Sequence, residues 1–282
     1  MKSKVYLPLL IALFVFGLAS CKKNKDPEPI KEEVFLDTAY SSNEENTMDV
    51  YLPLKRSDST KVIFLLHGGS WATGDKDSLT QLAVFLKDKG FAVVNMNYRL
   101  TGTNPANIHP AQQNDIKAAI NFVASKAFNW HISSDKYGML GVSAGAHLAL
   151  LYTYAYNTNN KIKTVASLSG PTNFTDPRGI GFPQAAAVAA LLGASFEANP
   201  TLYREASPLS KVNSLSKPTL IIHGNFDSVV PAHQATDLYA KLNLFNVKSD
   251  LLLYNTGHDL YNDANKQEIL NKITSWFSGN IK

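Results

Sequence analysis

The segment that decides the fold is YGMLGVSAGAHLALL, residues Tyr137–Leu151. Its first half is an apolar run of strand length, and its second half carries the alanine and leucine residues that favour a helix. Between the two lies GVSAG, in which Gly141 and Gly145 flank Ser143. A serine at such a strand-to-helix turn is held in a strained backbone with its hydroxyl exposed, and the glycines let strand and helix pass closely. The alternative is an ordinary glycine-rich turn with an idle serine.

Outward from this segment, short apolar runs alternate with helical patterns. The apolar runs are KVIFLLHG (61–68), FAVVNMNYRL (91–100), KTVASLSG (163–170), TLIIHGNFD (219–227) and DLLLYN (250–255). Such alternation is typical of βαβ units, and it predicts an α/β fold with a mostly parallel central sheet and helices on both faces. Two earlier stretches, VFLDTAYS (34–41) and TMDVYLP (47–53), predict an antiparallel pair of edge strands.

One segment, from about residue 172 to 212, interrupts the alternation. It contains AAAVAALLG, a predicted helix, and NPTLYREASPL, in which Asn199 before Pro200 is a candidate helix cap. We predict that this segment forms a small cap-like excursion over the carboxyl ends of the strands. A helix packed against the flank of the sheet is the alternative.

Candidate catalytic residues follow the predicted strands. In sheets of this kind, functional residues collect in the loops at the carboxyl ends of the strands. Asp227 and His258 each follow an apolar strand and come after Ser143 in the order Ser, Asp, His. A serine hydroxyl needs a base to take its proton and an acid to orient that base, so we predict a Ser143 nucleophile, a His258 base and an Asp227 acid. Asp227 could otherwise be a turn residue or a helix cap. Asp259 is the second candidate acid, although an immediate neighbour of the base cannot easily reach its Nδ1 atom.

The loop after the first parallel strand reads HGGSWATGDKDS, residues 67–78. It misses the phosphate-loop pattern, because Asp75 stands directly after Gly74 where that pattern needs lysine. A glycine-rich loop here can instead turn its backbone N–H groups toward an oxyanion, as acyl transfer requires. The amide of Ala144, directly after Ser143, is the other expected donor.

The remaining titratable residues predict neither a metal site nor a cofactor. Cys21 is the single cysteine, and no pair of histidines has metal-ligand spacing. His147, one helical turn after Ser143, is expected to be packed or hydrogen-bonded, and His223 at a strand end is expected to be structural. Three more histidines are expected at the surface: His109, His131 and His233.

The N-terminal residues predict that the protein is exported from the cytoplasm. A basic start, MKSK, precedes the apolar run Val5–Ala19, which is too short for a comfortable membrane span. The run ends in LASC, which resembles the processing box of bacterial lipoproteins and implies lipid attachment at Cys21. We therefore predict a signal peptide over 1–20, a flexible tether over 21–33 and a folded domain over 34–282, with the protein exported and anchored by lipid to a bacterial membrane. An ordinary secretory peptide or an uncleaved anchor is the alternative.

Charge and composition restrict the possible partners. The 282 residues include 27 Lys and Arg against 23 Asp and Glu, a formal net charge of +4. So small a balance, without a basic stripe interleaved with aromatic residues, argues against nucleic-acid binding. With 45% hydrophobic residues, the chain is long enough for one domain with a substantial core.

Several motifs extend across nearly the whole predicted domain. In chain order they are MDVYLP, HGGSWATGDK, FAVVNMNYRL, HPAQQNDIKAAINFV, GVSAGAHLA, SPLSKV, PTLIIHGNFDSVVP and GHDL. In this combination the chain resembles serine esterases of the α/β-hydrolase fold, in the branch of hormone-sensitive-lipase-like esterases and bacterial feruloyl and acetyl-xylan esterases. The resemblance implies that Ser143 forms an acyl-enzyme and that Gly69, Ser70 and Ala144 donate to the oxyanion.

The leading functional hypothesis is a serine hydrolase that cleaves carboxylic esters, with short-chain or carbohydrate-linked acyl esters as substrates. An amidase or peptidase, including an arylformamidase-like enzyme that shares HGGxW, is the second hypothesis. A catalytically inactive binding module is the third, but it predicts a lost triad member or a blocked oxyanion loop, and the sequence has neither. Two positions depart from the pattern of the family: Ser70 stands where glycine is commoner, and Asp259 follows the base where these enzymes often carry Gly-Phe.

Overall fold

The computed structural model describes Met1 and residues 30–179, 184–260 and 263–282. The predicted lipidation site, Cys21, and most of the predicted signal peptide and tether lie outside these residues. Within the described part of the chain, no helix is both long and apolar enough to cross a membrane.

The described residues contain one mostly parallel sheet. Its strands are β1 (Glu33–Ala39), β2 (Thr47–Leu52), β3 (Val62–Leu66), β4 (Ala92–Met96), β5 (Tyr137–Val142), β6 (Ile162–Leu168), β7 (Thr219–Gly224) and β8 (Ser249–Tyr254). They lie in the order β1-β2-β4-β3-β5-β6-β7-β8. The pairs β1–β2 and β2–β4 are antiparallel, and every other neighbouring pair is parallel. The predicted parallel sheet with an antiparallel edge is therefore confirmed.

Helices cover both faces of this sheet. They are α1 (Thr80–Asp88), α2 (Ala111–Trp130), α3 (Ala144–Leu151), α4 (Gln184–Leu192), α5 (Pro200–Glu205), α6 (Pro208–Lys211), α7 (His233–Leu244) and α8 (Asp263–Asn280). On one face, Leu86 of α1 and Phe277 of α8 are buried in a common core cluster. On the other face, Ile120 of α2 and Leu238 of α7 belong to a second cluster. This arrangement confirms the predicted α/β class.

Strand β3 shows why the central strands have uninterrupted apolar sequences. Its neighbours Ile63 and Phe64 are both fully buried, and they lie in different core clusters because successive side chains of a strand point to opposite faces. A strand covered by helices on both faces has no solvated side, so every position favours an apolar residue.

Helix α3 is positioned by a close backbone contact. All its residues are buried, so its sequence lacks a polar face. A Cβ atom on Gly145 would lie 2.2 Å from the carbonyl oxygen of Leu66, at the end of β3. Only glycine permits this approach, which places the turn containing Ser143 at the carboxyl edge of the sheet.

The segment between β6 and β7 contains α4, α5 and α6. Val188 and Tyr203 are buried in the same core cluster as Ile120, so these helices pack on the α2 and α7 side. The side chain of Asn199 accepts from the N–H of Leu202 at 3.1 Å, which confirms it as the cap of α5. That the segment forms a cap-like excursion over the carboxyl ends of the strands stays a prediction.

Candidate active site

Ser143 occupies the turn between β5 and α3. Its backbone has φ 53° and ψ −118°, a conformation that non-glycine residues rarely adopt and that is found mostly at functional sites. The turn is held because the N–H of Ser143 donates to the carbonyl oxygen of Leu168 at 2.8 Å. On its other side, the carbonyl oxygen of Ser143 accepts from the N–H groups of Ala146 and His147 at 2.9 and 3.1 Å, which starts the helix. The backbone is therefore the strained strand-to-helix turn that the sequence predicts.

The structure brings together the three side chains predicted as nucleophile, base and acid. The Nε2 atom of His258 lies 3.0 Å from Oγ of Ser143, and its Nδ1 atom lies 2.7 Å from Oδ2 of Asp227. An ionised Asp227 can only accept, so Nδ1 carries the proton of a neutral imidazole and Nε2 is left as an acceptor for the serine hydroxyl. This is the tautomer in which His258 can take the proton of Ser143.

The carboxylate of Asp227 is held by several donors. Its Oδ1 atom accepts from the N–H groups of Val229 and Val230 at 2.9 and 2.8 Å. The Nε2 atom of His223 lies 3.3 Å from Oδ2 of Asp227 and 2.8 Å from the carbonyl oxygen of Val230, so its proton faces both oxygens. Burial raises the pKa of Asp227, but the hydrogen bonds from His223, His258 and Val230 outweigh it and hold that pKa well below its usual range. Asp227 is therefore ionised at neutral pH.

The backbone of His258 has a partner that sequence reasoning missed. The hydroxyl of Ser169, just after β6, donates to the carbonyl oxygen of His258 at 3.1 Å. Ser169 has φ 52°, in the left-handed region, and is almost fully buried. The only indication in the sequence was that Ser169, in SLSG, follows a predicted strand. Its partner could not be predicted, because the contact joins two loops that are far apart in the chain.

The predicted oxyanion loop lies directly against Ser143. A Cβ atom on Gly68 would be 3.3 Å from Cβ of Ser143. Gly69 has φ 116°, and a Cβ atom there would lie 2.0 Å from the carbonyl oxygen of Thr73, so no other residue fits this backbone. Three of the predicted donor N–H groups have no acceptor among the described residues: those of Gly69, Ser70 and Ala144. These amides remain available for an oxygen atom of a ligand.

These groups surround a cleft of about 420 Å³. Its apolar wall consists of Val142, Leu168, Val229 and Leu260, and Gly69, Ser70, Ser143 and His258 form its polar side. Asp259 also lines the cleft and is exposed, while Asp227 makes the contact to Nδ1 of the base. The arrangement can hold a small acyl group against the apolar wall, with its carbonyl near Ser143.

The histidines outside the Ser143–His258–Asp227 contacts differ in how far they are buried. His147 is buried and hydrogen-bonded, and His131 is exposed, as the sequence predicts. The expectation of a surface position is wrong for His109, whose Nδ1 atom is buried, whereas the side chain of His233 remains partly exposed. The N–H of His109 donates to the carbonyl oxygen of Leu191, and Nε2 of His233 lies 3.3 Å from Oδ2 of Asp176. No cluster of metal-ligating side chains occurs among the described residues.

The parallel sheet, the strained serine turn and the chain order Ser143, Asp227, His258 define an α/β-hydrolase fold. Residues 48–242 match the model of the BD-FAE family, and the chain belongs to this family.

Curated relatives share part of this chain. LipM of Mycobacterium tuberculosis, described as a probable carboxylic ester hydrolase, is 26% identical over 205 residues, which cover 67% of this chain and 47% of LipM. The isoprenylcysteine α-carbonyl methylesterase of Arabidopsis thaliana is 24% identical over 86% of this chain and 62% of its own length. A kynurenine formamidase of Danio rerio is 30% identical over 142 residues, 49% of this chain and 46% of its own length. The chain thus spans about half the length of the first curated relatives it matches.

Solved structures share the fold over most of the chain. A truncated carbohydrate esterase from gut microbiota superposes with a TM-score of 0.76 at 23% identity, covering 89% of this chain and 99% of that one. Esterase B from Lactobacillus rhamnosis superposes with a TM-score of 0.72 at 20% identity, covering 91% and 89%. Likeness at this level of identity establishes the fold.

Proposed function

We propose that the protein is a carboxylic ester hydrolase that works through an acyl-enzyme on Ser143. One observation carries the proposal: the hydrogen-bonded chain Ser143–His258–Asp227 opens on a cleft bordered by backbone N–H groups that have no acceptor among the described residues. The esterases among the relatives and structural neighbours support the same reaction class.

Acylation uses His258 first as a base and then as an acid. As Oγ of Ser143 attacks the ester carbonyl carbon, its proton passes to Nε2 of His258. The carbonyl oxygen becomes an oxyanion, which accepts from the N–H groups of Gly69, Ser70 and Ala144. The bond to the alcohol oxygen then breaks, and His258 returns the proton to the leaving alcohol.

Deacylation repeats these steps with water. His258 takes a proton from a water molecule as its oxygen attacks the acyl carbon, and the same amides stabilise the second oxyanion. When the bond to Oγ breaks, His258 reprotonates Ser143 and the carboxylic acid leaves. Throughout, the ionised Asp227 stabilises the imidazolium and keeps the ring oriented, which accounts for the donors that surround its carboxylate.

For the substrate we propose esters of short acyl groups, including acyl groups attached to carbohydrate. The small cleft with a wall of aliphatic side chains favours a short acyl chain over a long one. The carbohydrate-linked alcohol is supported by the gut carbohydrate esterase among the structural neighbours. The second candidate, cleavage of a formyl-amide, is favoured by the match to a kynurenine formamidase. An inactive binding module is disfavoured because the triad contacts are complete.

The test uses purified protein, a fluorophosphonate probe and a panel of substrates. The probe should label the wild type and fail to label Ser143→Ala, while Ser70→Gly, the matched serine control in the same cleft, should still be labelled. Equal labelling of Ser143→Ala would contradict the assignment. On the panel, we expect acetyl and butyryl esters to be cleaved at least about tenfold faster than octanoyl esters, because only four aliphatic side chains form the apolar wall beside Ser143. Acetylated xylan, a feruloyl ester and a formyl anilide then separate the carbohydrate and amide alternatives.

We also propose that the protein is exported and anchored by lipid at Cys21, which the LASC sequence supports. In a bacterial host fed with labelled fatty acid, the full chain should incorporate the label and partition into detergent. Cys21→Ser should lose both properties. Export without incorporation of the label would indicate an ordinary secretory peptide.

A further inference from the structure

Three consecutive residues of the oxyanion loop have positive φ angles. The values are 116° at Gly69, 52° at Ser70 and 61° at Trp71. A bulky residue such as tryptophan rarely adopts this region, because its Cβ atom crowds the following carbonyl oxygen. Such a run persists only where surrounding contacts determine it. Hydrogen bonds within the loop, from the N–H groups of Ala72 and Thr73 to the carbonyl oxygen of Gly69, and contacts from outside the loop together hold this conformation.

The indole of Trp71 makes one of the contacts from outside the loop. The ring is 1% exposed, and its Nε1–H donates to Nδ1 of His147 at 3.2 Å. The two rings are nearly perpendicular, at 87°, with centroids 5.2 Å apart. The carbonyl oxygen of Trp71 accepts from the N–H of Thr101 at 3.0 Å. Both the side chain and the backbone of Trp71 are thus fixed to buried partners.

His147 can accept the indole hydrogen bond only as the neutral tautomer that is protonated on Nε2. Its Nδ1 accepts from the indole, so Nε2 carries the proton and donates to the carbonyl oxygen of Ala206 at 2.8 Å. In a protonated ring, Nδ1 would be a donor facing the indole donor. Burial lowers the pKa of His147 to about 3, and the contact with Ala206 offsets this only in part, so the ring is neutral at any ordinary pH.

The hydrogen bond between His147 and Trp71 matters for the active site because His147 lies on the same helix as the Ser143 turn. It lies on α3, one turn after Ser143, and the first amide of that helix belongs to Ala144. The helix therefore carries the nucleophile turn and one oxyanion donor, while the loop before Trp71 carries the other two. The hydrogen bond between His147 and Trp71 connects these two parts.

We propose that His147 is a positioning residue for the oxyanion hole: its Nδ1 atom holds Trp71, and through Trp71 it keeps the strained loop in place against the start of α3. The inference rests on the proposed ester hydrolysis at Ser143. His147 touches no reacting atom and acts through Trp71 alone. The carbonyl oxygen of Ala206, on the excursion, selects the tautomer that makes this possible.

The first test is Trp71→Phe, which keeps a buried aromatic ring and removes the N–H donor. The matched control is Trp276→Phe, because Trp276 is also buried and donates its indole N–H, at 2.7 Å, to Thr164 beneath the opposite face of the sheet. We expect kcat for a short-chain ester to fall about 10- to 100-fold in Trp71→Phe, with KM within about threefold of wild type, since the loop donors act mainly in the transition state. Trp276→Phe should keep the wild-type kcat.

A second pair of variants separates the two ring nitrogens. In His147→Asn, the side-chain oxygen stands near the place of Nδ1 and can accept from Trp71 but cannot reach Ala206. In His147→Gln, the terminal amide stands near the place of Nε2 and can donate to Ala206 but offers no acceptor to the indole. We expect His147→Asn to retain about tenfold more kcat than His147→Gln. This comparison also carries the test if Trp71→Phe does not fold.

The outcomes are distinct. A folded Trp71→Phe with wild-type kcat, or a His147→Gln at least as active as His147→Asn, would overturn the positioning role. So would an equal loss of kcat in Trp276→Phe, because a general loss of core packing would then explain the effect. A wild type that cleaves no ester and is not labelled at Ser143 would overturn the proposed function and this inference together.

Discussion

The hydroxyl of Ser169 donates to the carbonyl oxygen of His258 at 3.1 Å and ties the loop of the base to the end of β6. Ser169 is itself fixed, because its N–H donates to the carbonyl oxygen of Ile222 at 2.9 Å. His258 is therefore held at two places: Asp227 orients its ring, and Ser169 restrains its backbone.

Removal of this hydroxyl should impair the base. A hydrogen bond of this kind contributes about 1 kcal/mol, so Ser169→Ala is expected to lower kcat about 3- to 10-fold through a less well-placed His258. Ser169→Gly should lower kcat as much, yet be about 1 kcal/mol more stable than the alanine variant because glycine accepts the positive φ. Steady-state kinetics and urea unfolding measure the two effects. Wild-type kcat in both variants would exclude a role in positioning His258.

Replacement of the acid should be far more severe. Asp227→Asn presents an amide to Nδ1 of His258 and can stabilise the wrong tautomer, so kcat is expected to fall about 10⁴-fold. Asp250→Asn, at an exposed carboxylate on β8, is the control and should be fully active. Comparable activity in the two variants would mean that Asp227 does not orient the base.

The oxyanion loop should not tolerate a side chain at Gly69. Gly69→Ala places a Cβ atom against the carbonyl oxygen of Thr73, so the loop must move and kcat is expected to fall at least about 100-fold. Gly90→Ala is matched in backbone strain, with φ 89°, but its Cβ atom meets nothing within 4 Å. It should lose about 1 kcal/mol of stability and no activity. Retained kcat in Gly69→Ala would show that the loop is not needed in this conformation.

Two histidines with lowered pKa values should destabilise the fold in acid. Burial lowers the pKa of His109 to about 4 and that of His147 to about 3, whereas both titrate near about 6.5 in an unfolded chain. Between these values the unfolded chain binds protons that the folded protein does not. The free energy of unfolding should therefore fall as pH drops from about 6.5 toward 4, and these groups contribute no pH dependence above that window.

Urea unfolding between pH 7.5 and 4.5 tests this expectation. His109→Gln should lose less stability than wild type over that range, by about 1 to 3 kcal/mol, since it removes one of the suppressed protonations. His131→Gln, at an exposed position, serves as the control and should follow the wild-type curve. Parallel curves for all three proteins would mean that His109 takes up its proton as readily in the folded protein as in the unfolded chain.

The amino-acid sequence by itself determined the architecture and predicted the three side chains, Ser143, Asp227 and His258, that the structure brings into hydrogen-bond contact. Apolar runs of strand length alternating with helical patterns require a parallel sheet covered on both faces, and this sheet is observed. The glycines around Ser143 specify a sharp turn through local backbone sterics alone. Because parallel strands end at one edge of the sheet, residues that follow different strands, such as Asp227 and His258, were predicted to meet there.

Only the tertiary structure decided what holds these groups in place. Trp71 and His147, and likewise Ser169 and His258, are distant in the chain and meet because of the strand order and the path of the loops. The surface position expected for His109 was wrong for the same reason, since the excursion packs against this residue. Local sequence patterns predict backbone geometry and which positions along an element are buried. A hydrogen bond between groups that are distant in the chain depends on a few tenths of an ångström in the packed molecule, and no spacing in the sequence encodes that distance.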